Sequence, residues 1–295
     1  MTPDSNPAMR SLGNLTLFGG RSLSFSRTLI MGIINVNGES FYSGSRVGGT
    51  EEALRRALLM ARCGADIIDI GAESTRPGSS DMDEGSELEA LIPAVRAVRE
   101  ALPETPISVD TRKRRIASAS IEAGADIIND VSGLGIPGEA EGMTRLLAES
   151  GATYVLTHPG SGWNGPAEYP EDYDVMEDII SFFSERIVRV SGAGVARDRI
   201  IIDPGIGFGK RAEDNLDIVA KIAELKRFGL PILVGASRKS FIGYALGLPD
   251  PADRLEGTLA VSALCADRGI EIVRVHDVLE NRRAVLMAEA VRRRL

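Results

Sequence analysis

The sequence predicts an α/β protein, a (β/α)8 TIM barrel preceded by a β-hairpin. Three observations carry this. Short runs of Ile, Val and Leu recur eight times along the chain. They are continuously apolar rather than alternating, as parallel strands covered on both faces are. Segments with helical spacing lie between them, the pattern of an alternating parallel-strand fold. The competing architecture, an open doubly wound sheet, usually has fewer strands.

In chain order the runs are LIMGIIN (29–35), DIIDIG (66–71), PISVD (106–110), DIIND (126–130) and TYVLTH (153–158), then RIIIDPG (199–205), LPILVGASRK (230–239) and EIVRVHD (271–277). The first helix, EEALRRALLMARCGA, sets Leu54, Leu58 and Ala61 on one stripe. The second, SELEALIPAVRAVREAL, opens on Ser86 and Glu89, the spacing of a capping box. Its apolar pattern continues past Pro93. Helical segments at RKRRIASASIEAGA, VMEDIISFFSERIVRVSGAG, NLDIVAKIAELKRFG and LEGTLAVSALCADRG follow, several closing on Gly before the next strand. Ahead of the first run, GNLTLFGGRSLSFSR alternates apolar and polar residues around Gly-Gly, which predicts a hairpin plugging the lower end of the barrel. Residues 1–12 read as a loose tail, and 13–295 as a single barrel domain.

Composition narrows the function. The 295 residues are 43% hydrophobic and 26% charged, with a net charge of 34 − 42 = −8. An acidic balance argues against a nucleic-acid partner, and any anionic substrate needs a local cationic pocket. The two cysteines, Cys63 and Cys265, sit in apolar helical contexts outside any zinc pattern and read as buried free thiols. No basic n-region opens the chain, and no apolar run approaches the roughly 20 residues of a membrane helix. A cytoplasmic protein without membrane contact is expected.

The strand ends carry the chemistry. They present Asn35, Asp69, Asp110, Asn129–Asp130, His158, Asp203 and the Ser237–Ser240 stretch, with Arg274 and His276 on the eighth. In a barrel these ends form a ring at one mouth, where active sites sit. Polar loops account for one or two such residues, not for a ring of them. Asp110, Asn129, Asp203 and Lys239 offer the acceptors and donors that suit a flat heterocycle with ring N–H, amino and carbonyl groups. Arg274, His276, Asn35 and Arg76 suit a phosphorylated group.

Other features read as structural. GIGFGK (205–210) lacks the P-loop's leading Gly and its Ser or Thr, since Arg211 stands there, and its spacing misses the dinucleotide fingerprint. It reads as a flexible turn. RKRR (112–115) reads as a solvated helix face, and His158 beside Pro159 as a structural side chain.

MGIINV, IIDIGAESTRPG, SVDT, GADIINDVSGL, IIDPGIGFGK, LVGASRKSFIG, RLEGTLA and RVHDV run in order from Leu29 to Val278. Together they resemble the dihydropteroate synthase family of folate biosynthesis. The resemblance implies a transferase barrel, usually a homodimer. It condenses 6-hydroxymethyl-7,8-dihydropterin pyrophosphate with p-aminobenzoate, makes 7,8-dihydropteroate and releases pyrophosphate, with Mg²⁺ assisting. It implies that Asp110, Asn129, Asp203 and Lys239 hold the pterin, with Asp69 lining the site. Arg274 would flank the pterin and help bind phosphate. Asn35 and His276 would hold the pyrophosphate, with Asn35 near the metal. Glu39, Phe41, Thr75, Arg76 and Ser240 would lie by p-aminobenzoate and the closing loops.

The chain departs from the family in its first loop. Where the family reads close to Asn-Val-Thr-Pro-Asp-Ser-Phe, this chain has Asn35-Val36-Asn37-Gly38-Glu39-Ser40-Phe41. Gly in place of Pro raises the entropy cost of ordering the loop by up to about 1 kcal/mol. That change motivates an alternative, a pterin-binding paralogue with weak or no synthase activity. A pterin-dependent methyltransferase is the third reading, and Lys239 followed by Ser240 counts against it.

Overall fold

The computed structural model describes residues 14–17, 20–36, 46–72, 82–160 and 169–294. The expected tail, the first loop with Glu39 and Phe41, and the segment with Thr75 and Arg76 lie outside them.

The hairpin forms as expected. Strands β1 (Asn14–Thr16) and β2 (Ser22–Ser24) pair antiparallel, with Asn14 opposite Ser24. The barrel strands are β3 (Leu29–Asn35), β4 (Ile67–Gly71), β5 (Ile107–Asp110), β6 (Ile127–Asp130), β7 (Thr153–Thr157), β8 (Ile200–Asp203), β9 (Leu233–Val234) and β10 (Ile272–Val275). They form one eight-stranded sheet in the order β8-β7-β6-β5-β4-β3-β10-β9. A parallel bridge between Ile202 and Ile232 joins its two edges and closes the barrel. The seventh run shrinks most, from the ten residues of Leu230–Lys239 to two. Pro231 has no N–H to give a ladder, and the chain turns away after Val234 into the Lys239 loop.

Helices α1 (Arg46–Cys63), α2 (Glu84–Ala101), α3 (Arg114–Glu122), α5 (Val175–Gly192), α6 (Ala212–Lys221) and α8 (Leu255–Asp267) fall on the six helical segments read from sequence. The structure adds α4 (Ala140–Ser150), α7 (Ser240–Leu246) and α9 (Val278–Arg292). At seven residues, α7 is too short to show a period.

Two local expectations are corrected. The buried stripe of α1 is Ala53 and Ala57, one position away from the Leu54 and Leu58 stripe. Those leucines are only half-buried, because the small alanines sit where the helix lies closest to the sheet. The cap of α2 is Asp83, whose Oδ1 accepts from Ser86 N at 3.0 Å, rather than the Ser86–Glu89 box. The helix runs unbroken through Pro93.

The barrel is filled from below. Leu15, Leu17, Leu23 and Phe25 of the hairpin pack against Met31, Ile67, Ile127, Val155, Ile201, Leu233 and Ile272. These lie on seven different barrel strands, towards their N-terminal ends. Burying each such side chain stabilises by roughly 1.5–3 kcal/mol. Arg21 fixes the hairpin through Asp126, with Nε and Nη2 donating to Oδ1 at 2.9 and 2.6 Å. The polar strand ends are left to the opposite mouth.

Candidate functional site at the barrel mouth

Parallel register assembles the ring. Asp110 pairs with Asn129 across β5 and β6, and Gly71 pairs with Asp110 across β4 and β5. Thr157 pairs with Asp203 across β7 and β8, and Asn35 closes β3 opposite Gly71. Residues distant in sequence thus reach one level at the C-terminal ends of the strands.

Arg274 is the hub. Its Nε donates to Asp69 Oδ2 at 2.6 Å, and its Nη2 donates to Asp110 Oδ2 at 2.7 Å. Asp69 is wholly buried and Asp110 nearly so. Burial pushes Asp110 up to about 7; the Arg274 charge opposes this, while Asp69, Asp130 and Glu87 add to it. Burial likewise raises Asp203, against the pull of Lys239, the Gly205 N–H and Arg274. Lys239 is held down to about 8 by burial, with Asp203 opposing. Such shifts arise where charged groups face one another out of water.

The sequence reading set Arg274 among the groups for a phosphorylated ligand and, through the resemblance, beside the pterin; in the structure its guanidinium pairs with two carboxylates. Two buried carboxylates without a cation would be costly, so the guanidinium goes between them. His276 and Asn35 are exposed at this mouth. His276 Nδ1 is 2.9 Å from Ser237 Oγ.

Several acceptors stay open. Asp69 Oδ1 and Asn129 Oδ1 are buried without a hydrogen-bond partner among the described residues. An unmet buried acceptor costs about 1–3 kcal/mol, which a ligand N–H can return. Gly235 lies beside Arg274 and Asp203, where an added Cβ would stand 3.9 Å from Arg274 Cβ and 4.0 Å from Asp203 Oδ2. Asp130 is different. Its oxygens accept from Ser132 N, Ser132 Oγ and Tyr154 Oη at 2.6–2.8 Å, so it braces the strand end.

The 205–210 turn, read from sequence as a flexible turn, is well supplied with hydrogen bonds. Gly205 N donates to Asp203 Oδ1 at 2.7 Å, and Gly207 N donates to Asn215 Oδ1 at 2.7 Å. The Lys239 ammonium donates to Ile206 O and stands 4.3 Å from the centre of the Phe208 ring. Phe208 and Lys210 were missed as site residues. Their only sequence signal is the glycine spacing of GIGFGK, which was read as a failed phosphate loop.

The remaining assignments resolve simply. His158 is buried, its Nε2 3.3 Å from Asp178 Oδ2, and burial lowers its pKa despite that carboxylate. These contacts suit a structural side chain, and the sequence reading leaves His158 outside the site. In RKRR, Arg114 and Arg115 are exposed, but Lys113 reaches the fully buried Glu87 at 2.7 Å. Cys265 is buried and Cys63 only half-buried, and both are free. Ser240 is exposed at the first residue of α7. Among the described residues no helix is long and apolar enough to cross a membrane. Nor do they contain a group of three or more His, Cys, Asp or Glu side chains placed to hold a metal.

A closed barrel whose mouth carries buried carboxylates, an amide and cations, with acceptors left open, defines an enzyme for a flat, hydrogen-bonding heterocycle. Comparison gives the class. The model of the pterin binding enzyme family matches residues 31–276. The dihydropteroate synthase of Escherichia coli is 41% identical over 271 residues, covering 92% of this chain and 94% of that protein. The Yersinia pestis dihydropteroate synthase, solved with a sulfonamide drug, superposes with a TM-score of 0.86 at 38% identity, over 95% of this chain and 99% of that one. The Xanthomonas albilineans enzyme in complex with 7,8-dihydropteroate does so with a TM-score of 0.82 at 36% identity, over 94% and 98%. The chain belongs to the dihydropteroate synthase family of pterin-binding enzymes.

Proposed function

We propose that the chain condenses 6-hydroxymethyl-7,8-dihydropterin pyrophosphate with p-aminobenzoate, giving 7,8-dihydropteroate and pyrophosphate in folate biosynthesis. The observation that carries the site assignment is the open acceptors at the mouth, Asp69 Oδ1 and Asn129 Oδ1, beside the Asp110–Arg274–Asp203–Lys239 set. Ring N–H and amino groups of the pterin would donate to Asp110, Asn129 and Asp203. Lys239 would donate to a ring acceptor, and Asp69 would complete the floor of the pocket through Arg274.

The pyrophosphate would leave towards the rim, where Asn35 and His276 are exposed and Arg274 lies within the wall. The C–O bond breaks with its electron pair going to pyrophosphate. The positive charge left at the pterin methylene is spread into the electron-rich ring. The p-aminobenzoate nitrogen then forms the new C–N bond and releases its proton. No protein nucleophile is needed, in keeping with a mouth whose side chains bind and polarise. Loops bearing Glu39, Phe41, Thr75, Arg76 and Ser240 would flank p-aminobenzoate and exclude water that would quench the cation.

Mg²⁺ fits the donor set. One amide oxygen, Asn35 Oδ1, at the rim suits an ion that keeps waters and shares substrate phosphates rather than one caged by protein. Bound there, it would neutralise charge on the departing pyrophosphate.

The binding-only alternative finds less support. It rests on Asn37, Gly38 and Glu39 alone, whereas the chain matches dihydropteroate synthases over most of its length. We further propose a homodimer. Met287 and Val291, four apart on α9, and Leu264 on the adjacent α8 are exposed apolar side chains that a second copy would cover. The cytoplasm is the compartment we propose, a reducing setting that suits two free cysteines.

A steady-state assay with both substrates and Mg²⁺ tests the function. Pyrophosphate release well above the enzyme-free rate is expected. Background release, with tight pterin pyrophosphate binding by calorimetry, would establish the binding-only reading instead.

A further inference from the structure

Lys210 is a buried lysine that the reaction above does not use; burial holds its pKa down to about 7, with Asp203 opposing. It is 7% exposed, at the end of the loop that follows β8. Its ammonium donates to three backbone carbonyls, Gly205 O at 2.9 Å, His158 O at 3.1 Å and Phe208 O at 3.3 Å. In the ammonium form three donors meet three acceptors, which saturates the group. Two of these carbonyls belong to the loop itself, and the third belongs to the end of the neighbouring β7.

What this bracket holds matters. Between the two bracketed loop carbonyls lies Ile206, whose own carbonyl accepts from Lys239 Nζ. Phe208, the far end of the bracket, faces the same ammonium with its ring. Gly205 N, at the near end, donates to Asp203 Oδ1. The loop has no slack. A Cβ on Gly207 (φ +81°) would stand 2.6 Å from Lys239 Cδ, and one on Gly205 (φ +68°) only 1.9 Å from His158 O. Gly207 thus lies directly against the Lys239 side chain, and the position of this loop bounds where that side chain can lie.

We infer that Lys210 is a positioning residue: its ammonium clamps the Gly205–Phe208 loop in the one shape that aims Lys239 at the heterocycle bound in the mouth. It does not touch substrate. Its effect passes through Ile206 O and the Phe208 ring to Lys239. The alternative is a merely structural role, in which Lys210 satisfies carbonyls that would otherwise be buried and unpaired. Both readings allow a loss of stability on substitution, so stability does not separate them.

The inference rests on the reading of Lys239 as a pterin contact, and a double-substitution cycle separates the two. Pterin pyrophosphate affinity is measured by calorimetry for wild type, Lys210→Met, Lys239→Met and the double variant. We expect Lys210→Met to weaken binding about tenfold when Lys239 is present and less than about twofold when Lys239 is already Met, the strong coupling expected of side chains acting through one another. If Lys210→Met weakens binding equally in both backgrounds, or in neither, the positioning role is overturned while the pterin site stands. If Lys239→Met alone leaves affinity unchanged, the pterin reading of Lys239 fails and takes this inference with it. Should Lys210→Met not fold, Lys210→Gln, which keeps two N–H donors, carries the same cycle with the same expectation of coupling.

Discussion

The two ends of the barrel bury carboxylates in opposite ways. At the hairpin end Asp126 is wholly buried, and both its oxygens are occupied. Arg21 reaches Oδ1, while Arg99 Nη2 at 2.6 Å and Ile107 N at 2.9 Å reach Oδ2. At the mouth Asp69 is equally buried, yet among the described residues only its Oδ2 is occupied, and Asp110 shares with it the guanidinium of Arg274. Two cations serve one carboxylate below, and one cation serves two carboxylates above. Below, the arrangement fastens the plug to the sheet. Above, it leaves acceptors and a raised Asp110 waiting for a partner, as a binding site does and a structural brace does not.

Substitutions can break this contrast. The largest effect is expected at Asp110→Ala, which should weaken pterin pyrophosphate binding at least about 100-fold by calorimetry, since two charge-assisted hydrogen bonds are worth roughly 3 kcal/mol or more. The fold should persist because Arg274 keeps Asp69. Unchanged affinity would remove Asp110 from the site. At the other end Asp126→Ala leaves two guanidiniums facing each other and should cost about 3–5 kcal/mol of stability in denaturant titration. Its pterin affinity should match wild type, and a parallel loss of affinity would erase the distinction between the ends. Leu23→Ala removes part of the plug and should cost about 2–4 kcal/mol in the same titration, again without changing affinity.

The smallest predicted effect concerns pH. Asp110 has its pKa raised from 3.8 to about 7 in the ligand-free fold, so the native state holds a proton that the unfolded chain gives up between those values. Its contribution to stability is therefore present at low pH and lost as pH rises through about 7. Relative to Asp110→Asn, which does not titrate, wild type should lose thermal stability between pH 5 and pH 8. At about 2–4 °C per kcal/mol for a domain of this size, the difference should be several degrees by calorimetric melting. A difference that stays flat or grows in wild type's favour would mean that Asp110 is ionised throughout.

Much of this molecule was legible in its sequence. Eight apolar runs marked the barrel strands, and the alternation around Gly19-Gly20 marked the plug. The strand ends delivered Asp69, Asp110, Asn129, Asp203, Lys239, Arg274 and His276 to the mouth, because parallel register puts strand ends at one level. The partner of Arg274 was not legible. Its contacts span 205 and 164 residues of sequence, and no local pattern says that a guanidinium turns to two carboxylates rather than to a phosphate. Lys210 was hidden for a related reason: its partners are backbone carbonyls, which every sequence possesses. The α2 cap was misplaced by three residues because Ser86 also fits a capping pattern, whereas Asp83 makes the bond. The bounds of β9 were overestimated because the quoted run took in Leu230-Pro231 ahead of the ladder and the polar Ser237-Arg238-Lys239 stretch beyond it.

The central claim is that the open acceptors at the mouth are the pterin site, and a crystal structure with 6-hydroxymethyl-7,8-dihydropterin pyrophosphate and Mg²⁺ tests it most directly. The account predicts the ring lying among Asp110, Asn129, Asp203 and Lys239, with ring or amino nitrogens about 2.7–3.2 Å from Asn129 Oδ1 and the two carboxylates. A pterin bound elsewhere, or one in the mouth that leaves Asn129 Oδ1 and both carboxylates without a ligand donor, would contradict it.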